Sequence, residues 1–234
     1  MKSADAAERA LREKAGEAVR RLAARYPDAQ CSLEAGGDPW RLLVMARLSA
    51  QCTDERVNLV CRALFAALPD AAAMAAAPLS QIEELIRPCG LFRMKAKNLR
   101  DMSAMLIERC GGRVPDTMEE MLALPGVGRK IANLILGDVY GQGGIVADTH
   151  CIRICGRLGF YPESLKDPAR VERILDPLIA RDAQSDFCHR LVRFGRDVCT
   201  ARAPACAACP LSPICAHADE SAENASCNRR ADMV

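Results

Sequence analysis

Helix start and stop signals recur along this chain at intervals that leave room for little besides short α-helices. Asp38-Pro39 places a capping carboxylate ahead of a proline at the first helical position, and the apolar run WRLLVMARLSAQ follows. Asp167-Pro168 repeats the device. Ser80 with Glu83, and Thr117 with Glu120, have the spacing of a capping box, in which each side chain satisfies an orphan backbone N–H. Stops fall at Pro69, at Pro88 with Gly90, at Gly111-Gly112 and from Gly141 to Gly144. Good helix formers fill the intervals, aromatic residues make up only 4%, and alternating β-branched runs are scarce, so the expected fold is all-α. GQGGIVADTH interrupts the series with three glycines and marks a boundary between two helical bodies.

Half of the residues are hydrophobic, yet no stretch approaches the roughly 18 uninterrupted apolar residues of a membrane span. The opening MKSADAAERALREK alternates charge with alanine and lacks a signal peptide's apolar core. Thirteen cysteines are an odd count and mostly lack paired spacing, which argues for a reducing compartment over a secreted disulfide framework. The expected location is therefore the cytoplasm. Net charge is +2, with −2 of it in residues 216–234 and +4 in the rest, so nucleic-acid binding must be argued from local clusters. The tail has little to bury and is expected to be disordered.

Four of the cysteines stand apart. Cys199, Cys206, Cys209 and Cys215 form C-x6-C-x2-C-x5-C within seventeen residues. Such thiolate density suits a metal. A four-cysteine zinc site usually draws on two well-separated C-x2-C knuckles, whereas this loop has one pair closely flanked by two further cysteines. That arrangement favours a [4Fe–4S] cluster, with zinc as the competitor. The other nine cysteines, including Cys52, Cys61, Cys151 and Cys188, read as small buried apolar residues.

Residues 121–136, MLALPGVGRKIANLIL, join two helical patterns through Leu124-Pro125-Gly126-Val127-Gly128. Gly126 and Gly128 permit a sharp turn, and the N–H groups at the start of the second helix form an anion site that a DNA phosphate fits. Lys130 sits in the first turn of that helix beside Arg129. It is either an ordinary surface lysine or a nucleophile, since the adjacent cation and the positive helix end both disfavour protonation. A neutral amine there can attack a sugar carbon and form a Schiff base. Asp148 in VADTHCIRICGRL reads first as an N-cap, and a cap can still offer its second oxygen to a developing sugar cation. His150 reads as structural.

The hairpin LPGVGRK, the segment VADTH and the four-cysteine loop occur in that order, with LSAQCTD upstream. In this ordered combination the chain, from about residue 10 to residue 215, resembles the helix-hairpin-helix superfamily of DNA glycosylases and AP lyases. The resemblance implies two helical domains with a DNA cleft between them. Residues 32–142 would form a six-helix bundle with the hairpin. Residues 1–31 and 143–215 would form the iron–sulfur domain, leaving 216–234 as the tail. It also implies that Lys130 and Asp148 are catalytic and that Cys199, Cys206, Cys209 and Cys215 hold a [4Fe–4S] cluster. Gln51 and Leu91 fall where two loops fill the gap left by an extruded nucleotide, Gln51 as a hydrogen-bonding amide and Leu91 as an apolar wedge. Arg93, Lys95 and Lys97 beside Leu91 are candidates for phosphate contact.

The activity so implied is base-excision repair by a bifunctional glycosylase/AP lyase. It would remove oxidised pyrimidines from double-stranded DNA and cleave abasic sites by β-elimination. Such an enzyme would work as a monomer at the nucleoid, without a membrane. The alternatives are a monofunctional adenine glycosylase, which lacks a lysine at the hairpin position, and a non-catalytic iron–sulfur DNA-binding protein.

Overall fold

A computed structural model describes residues 2–218, with side chains from residue 5 onward, and contains no strand among them. The chain divides into two compact units. One is Cys31–Gln142; the other joins Met1–Gln30 to Gly143–Val234. Of the tail expected at 216–234, only the first three residues lie within the described part. No described helix is long and apolar enough to cross a membrane.

Helix α1 (Lys2–Arg25) opens the chain and belongs to the discontinuous unit. The continuous unit holds α2 (Pro39–Leu48), α3 (Asp54–Ala67), α4 (Ala71–Ala76), α5 (Leu79–Ile86), α6 (Phe92–Cys110), α7 (Met118–Ala123) and α8 (Arg129–Asp138). The short α4 adds a seventh helix to the bundle because Asp70 caps it separately, accepting from the Ala73 N–H at 2.8 Å. Helix α6 is the central member, packed on α2, α4 and α5. Its Leu99, Met102 and Leu106 recur at the three- and four-residue spacing of one helix face and are fully buried. Each such side chain contributes about 1.5–3 kcal/mol of burial. Trp40 is also buried, and its indole N–H reaches Ser103 Oγ at 3.4 Å.

Most of the start signals act as expected. Asp38 accepts from the N–H groups of Trp40 and Arg41, and Asp167 from that of Arg170. Thr117 Oγ1 accepts from the Glu120 N–H at 3.3 Å and donates to the Glu120 carboxylate at 2.7 Å. The box expected at Ser80 does not form. Pro78, with φ fixed at −58°, starts α5 one residue before Ser80, so the Ser80 hydroxyl lies inside the first turn rather than at its head.

In the discontinuous unit α1 packs on α11 (Gln184–Asp197), and α11 on α9 (Thr149–Leu158); α10 (Pro168–Leu175) completes it. Ala15, Ala18 and Leu22 present a narrow buried face to match Phe187, Leu191 and Phe194. Two arginines fasten the chain's beginning to its end. Arg21 Nη1 donates to Pro210 O at 2.8 Å, and Arg190 Nε donates to Tyr26 O at 3.2 Å.

Candidate functional site

The hairpin is built as the glycine pattern requires. Helix α7 ends at Ala123, the Val127 N–H returns to Leu124 O at 3.1 Å, and α8 begins at Arg129. Gly126 adopts φ +79°, and a Cβ there would lie 2.5 Å from Arg47 Nε and 2.9 Å from Asn98 Oδ1. Its glycine is thus demanded twice, by the backbone and by a buried pair beneath it. Arg47 is only 6% exposed and donates to Asn98 Oδ1 through Nη2 at 2.8 Å and Nε at 3.2 Å. Gly128 differs: a Cβ added to it meets nothing within 4 Å. As the N-cap it offers no side-chain acceptor, so the head of α8 is open to an approaching anion. Lys130 is the second residue of α8 and is exposed, next to exposed Arg129.

Gln51 and Leu91 belong to the same unit and share an unusual backbone. They are the only non-glycine residues with positive φ among those described, at 55° and 46°. Leu91 is 53% exposed, and Gln51 is exposed as well. A left-handed residue with a side chain costs about 1–2 kcal/mol, and such strain collects at functional sites. Leu91 is no core leucine.

The basic residues after Leu91 split by helix face. Arg93 and Lys97, four apart, are exposed, and Lys97 pairs with Asp101. Lys95 does not belong with them as a phosphate ligand, because it is fully buried. It donates through Nζ to Leu48 O and to Cys89 O, each at 2.8 Å. The signal was present in its spacing: Lys95 stands four residues before Leu99, on the stripe that α6 buries.

In the other unit Asp148 caps α9, its Oδ1 accepting from the Cys151 N–H at 2.7 Å. Oδ2 has no donor among the described residues, and the side chain is half-buried. His150 packs against Gly195, where a Cβ would come within 2.3 Å of its Nδ1, and Arg153 Nη2 lies 3.2 Å from that nitrogen. This is a structural environment.

Cys199, Cys206, Cys209 and Cys215 line one small apolar cavity with Phe194 and Leu211. All four are free and half-buried. Burial pushes the Cys209 and Cys215 thiols above their ordinary value, so a bound cationic group is what would hold them as thiolates. Arg157, which the sequence reading missed, supports the loop from within: Nη1 donates to Cys199 Sγ at 3.3 Å and to Thr200 O at 2.8 Å, and Nη2 to Ala201 O at 2.9 Å. The donor set therefore fits a thiolate-ligated group. Burial also pushes the Cys61 thiol up to about 12 and the Cys31 thiol to about 11.

A lysine at the open head of a helical hairpin and two strained loops thus lie in one unit, and a four-thiol cavity lies in the other. The family model described as HhH-GPD superfamily base excision DNA repair protein matches residues 44–181. The chain is 44% identical over 211 residues to endonuclease III of Synechocystis sp., covering 90% of this chain and 95% of that protein. It is 35% identical over 182 residues to endonuclease III of Escherichia coli K12, covering 78% of this chain and 85% of that one. A solved structure of a trapped endonuclease III–DNA covalent intermediate is similar, with TM-score 0.83 and 37% identity over 90% of this chain and 98% of that chain. The chain belongs to the endonuclease III family of that superfamily and is a base-excision-repair DNA glycosylase and AP lyase.

Proposed function

We propose that Lys130 is the nucleophile and Asp148 its electrostatic partner in removing oxidised pyrimidines from double-stranded DNA and cleaving the abasic site left behind. The observation that carries this reading is the exposed Lys130 amine at the uncapped head of α8, beside the open space over Gly128. A phosphate held by the N–H groups of that helix start, with Gly126, Gly128 and Arg129 around it, would anchor the strand. Gln51 and Leu91 then occupy the gap left by the extruded nucleotide. Lys130 Nζ attacks C1′ and the glycosidic bond breaks, while Asp148 stabilises the positive charge that develops on the sugar. The base departs with a proton from the attacking amine, the C1′–O4′ bond then opens as O4′ takes up a proton, and the resulting C1′=N Schiff base acidifies C2′. Loss of that proton expels the 3′ phosphate by β-elimination, and hydrolysis of the Schiff base frees Lys130.

Cys199, Cys206, Cys209 and Cys215 would hold a [4Fe–4S] cluster. Such a group would cross-link the loop and hold it in shape for docking on DNA; with four protein ligands it would have no open corner for bond cleavage. The enzyme is expected to act as a cytoplasmic monomer.

Borohydride reduction on a duplex with one abasic site tests the reading. A covalent protein–DNA adduct that disappears in Lys130→Ala supports it, and a wild type that gives no adduct sinks it. About four irons per chain is the expected metal content, and a single zinc would overturn the cluster assignment.

A further inference from the structure

Gln51 and Leu91 lie on different loops, yet both loops start from carbonyls held by one atom. Leu48 is the last residue of α2, three before Gln51, and Cys89 ends a 3₁₀ turn two residues before Leu91. Lys95 Nζ donates to the carbonyl of each at 2.8 Å. The lysine is 0% exposed, and neither of these contacts is to a carboxylate. Filling this volume with an apolar residue such as methionine would avoid the desolvation cost of an ammonium. What an ammonium adds is geometry. It satisfies two carbonyls that end helical turns and sits favourably at the negative end of α2. Two other contacts lie near the same loops, the Cys52–Cys89 thiol pair and Arg56 Nη1 of α3 to Pro88 O at 3.4 Å, but Lys95 holds a carbonyl at the base of each loop through one fully buried atom.

We propose that Lys95 is a positioning residue, whose buried ammonium clamps the bases of both loops and so sets the spacing at which Gln51 and Leu91 meet the duplex. The inference rests on the gap-filling role proposed above for those two residues. Both bear side chains in the left-handed region, so their placement cannot come from a relaxed local conformation and must be imposed by what holds the loop ends.

The test is a mutant cycle on the cluster-loaded protein, with borohydride trapping and strand cleavage measured on an abasic duplex and on the same abasic strand alone. Lys95→Met is compared with Gln51→Ala/Leu91→Ala and with the triple variant, each relative to wild type on the same substrate. Loss of two hydrogen bonds from a charged donor predicts a fall of about tenfold or more in duplex kcat/KM. On the single strand, which has no gap to fill, the ratio to wild type should stay near one. In the triple variant Lys95→Met should add nothing to the loss already caused by the two alanines. Equal losses on both substrates, or a Lys95→Met effect that persists in full in the triple variant, would assign Lys95 a merely structural role and overturn the proposal. If Gln51→Ala/Leu91→Ala leaves duplex cleavage unchanged, the gap-filling reading itself fails and the clamp falls with it. Should Lys95→Met not fold, the same cycle is read with Lys95→Gln, a shorter neutral donor.

Discussion

The backbone at Leu91 makes a prediction that reverses an ordinary rule. Replacing alanine by glycine at an exposed site usually destabilises, by roughly 0.5–1 kcal/mol, because glycine loses more freedom on folding. Leu91 holds φ 46° and ψ 29°, where a Cβ costs about 1–2 kcal/mol. Leu91→Ala and Leu91→Gly both discard the exposed leucine side chain, so the difference between them isolates the backbone. The net expectation is Leu91→Gly more stable than Leu91→Ala by about 0.5–1 kcal/mol, or a few degrees in Tm for a chain of this size. The single tryptophan, Trp40, lies in the core of the unit that carries the loop, so its fluorescence in urea reports the relevant unfolding. Ala104→Gly, at an exposed position inside α6, is the control and should show the ordinary penalty. Both Leu91 variants should lose duplex cleavage alike, because both lose the side chain proposed as the wedge. If alanine proves the more stable at position 91, as at 104, the left-handed backbone is wrong and the argument that function imposes strain there goes with it. The Gln51 pair, at φ 55°, should behave like the Leu91 pair.

Asp148→Asn keeps a competent N-cap whereas Asp148→Ala loses one, so only the alanine should cost stability, about 1 kcal/mol. Both should abolish most glycosylase turnover if the carboxylate charge is what matters, and full activity in Asp148→Asn would remove Asp148 from the chemistry. Gly126→Ala places a Cβ 2.5 Å from Arg47 Nε in a left-handed residue. It should cost roughly 2 kcal/mol or more in urea unfolding and weaken duplex binding, and a neutral effect would contradict the packed hairpin. Burial holds Lys95 below its ordinary 10.5. Between its folded value and 10.5 the unfolded chain binds more protons, so stability rises with pH across that window. The urea midpoint of wild type measured against Lys95→Met should therefore climb as pH approaches 10.5, and a flat difference would refute a buried ammonium.

What could be read from the chain follows the range over which each determinant acts. Asp38, Thr117 and Asp167 cap helices through bonds to residues two or three further on, so their roles are written locally. Ser80 shows the limit even there, since Pro78 outbid its spacing by fixing the helix start earlier. The gathering of the four cysteines around one cavity was legible because they are neighbours in sequence. The burial of Lys95 is not legible, for the opposite reason. Three basic residues in five positions resemble a phosphate-binding run, and only the α6 burial stripe separates the one that points inward. Its partners, Leu48 O and Cys89 O, are backbone atoms and leave no mark in composition. The same holds for Gly126. The pattern LPGVG announces a turn, but the demand for glycine also comes from Arg47 and Asn98, which lie far from it in sequence. Charges that act at a surface and charges that fasten a core use the same letters. Burial alone distinguishes them, and here the buried ones, Arg47 and Lys95, sit directly beneath the hairpin and the two loops proposed to touch DNA. A site assembled from strained loops needs such supports, because neither loop has a relaxed conformation of its own that would place Gln51 or Leu91 for the contact with the duplex proposed for them.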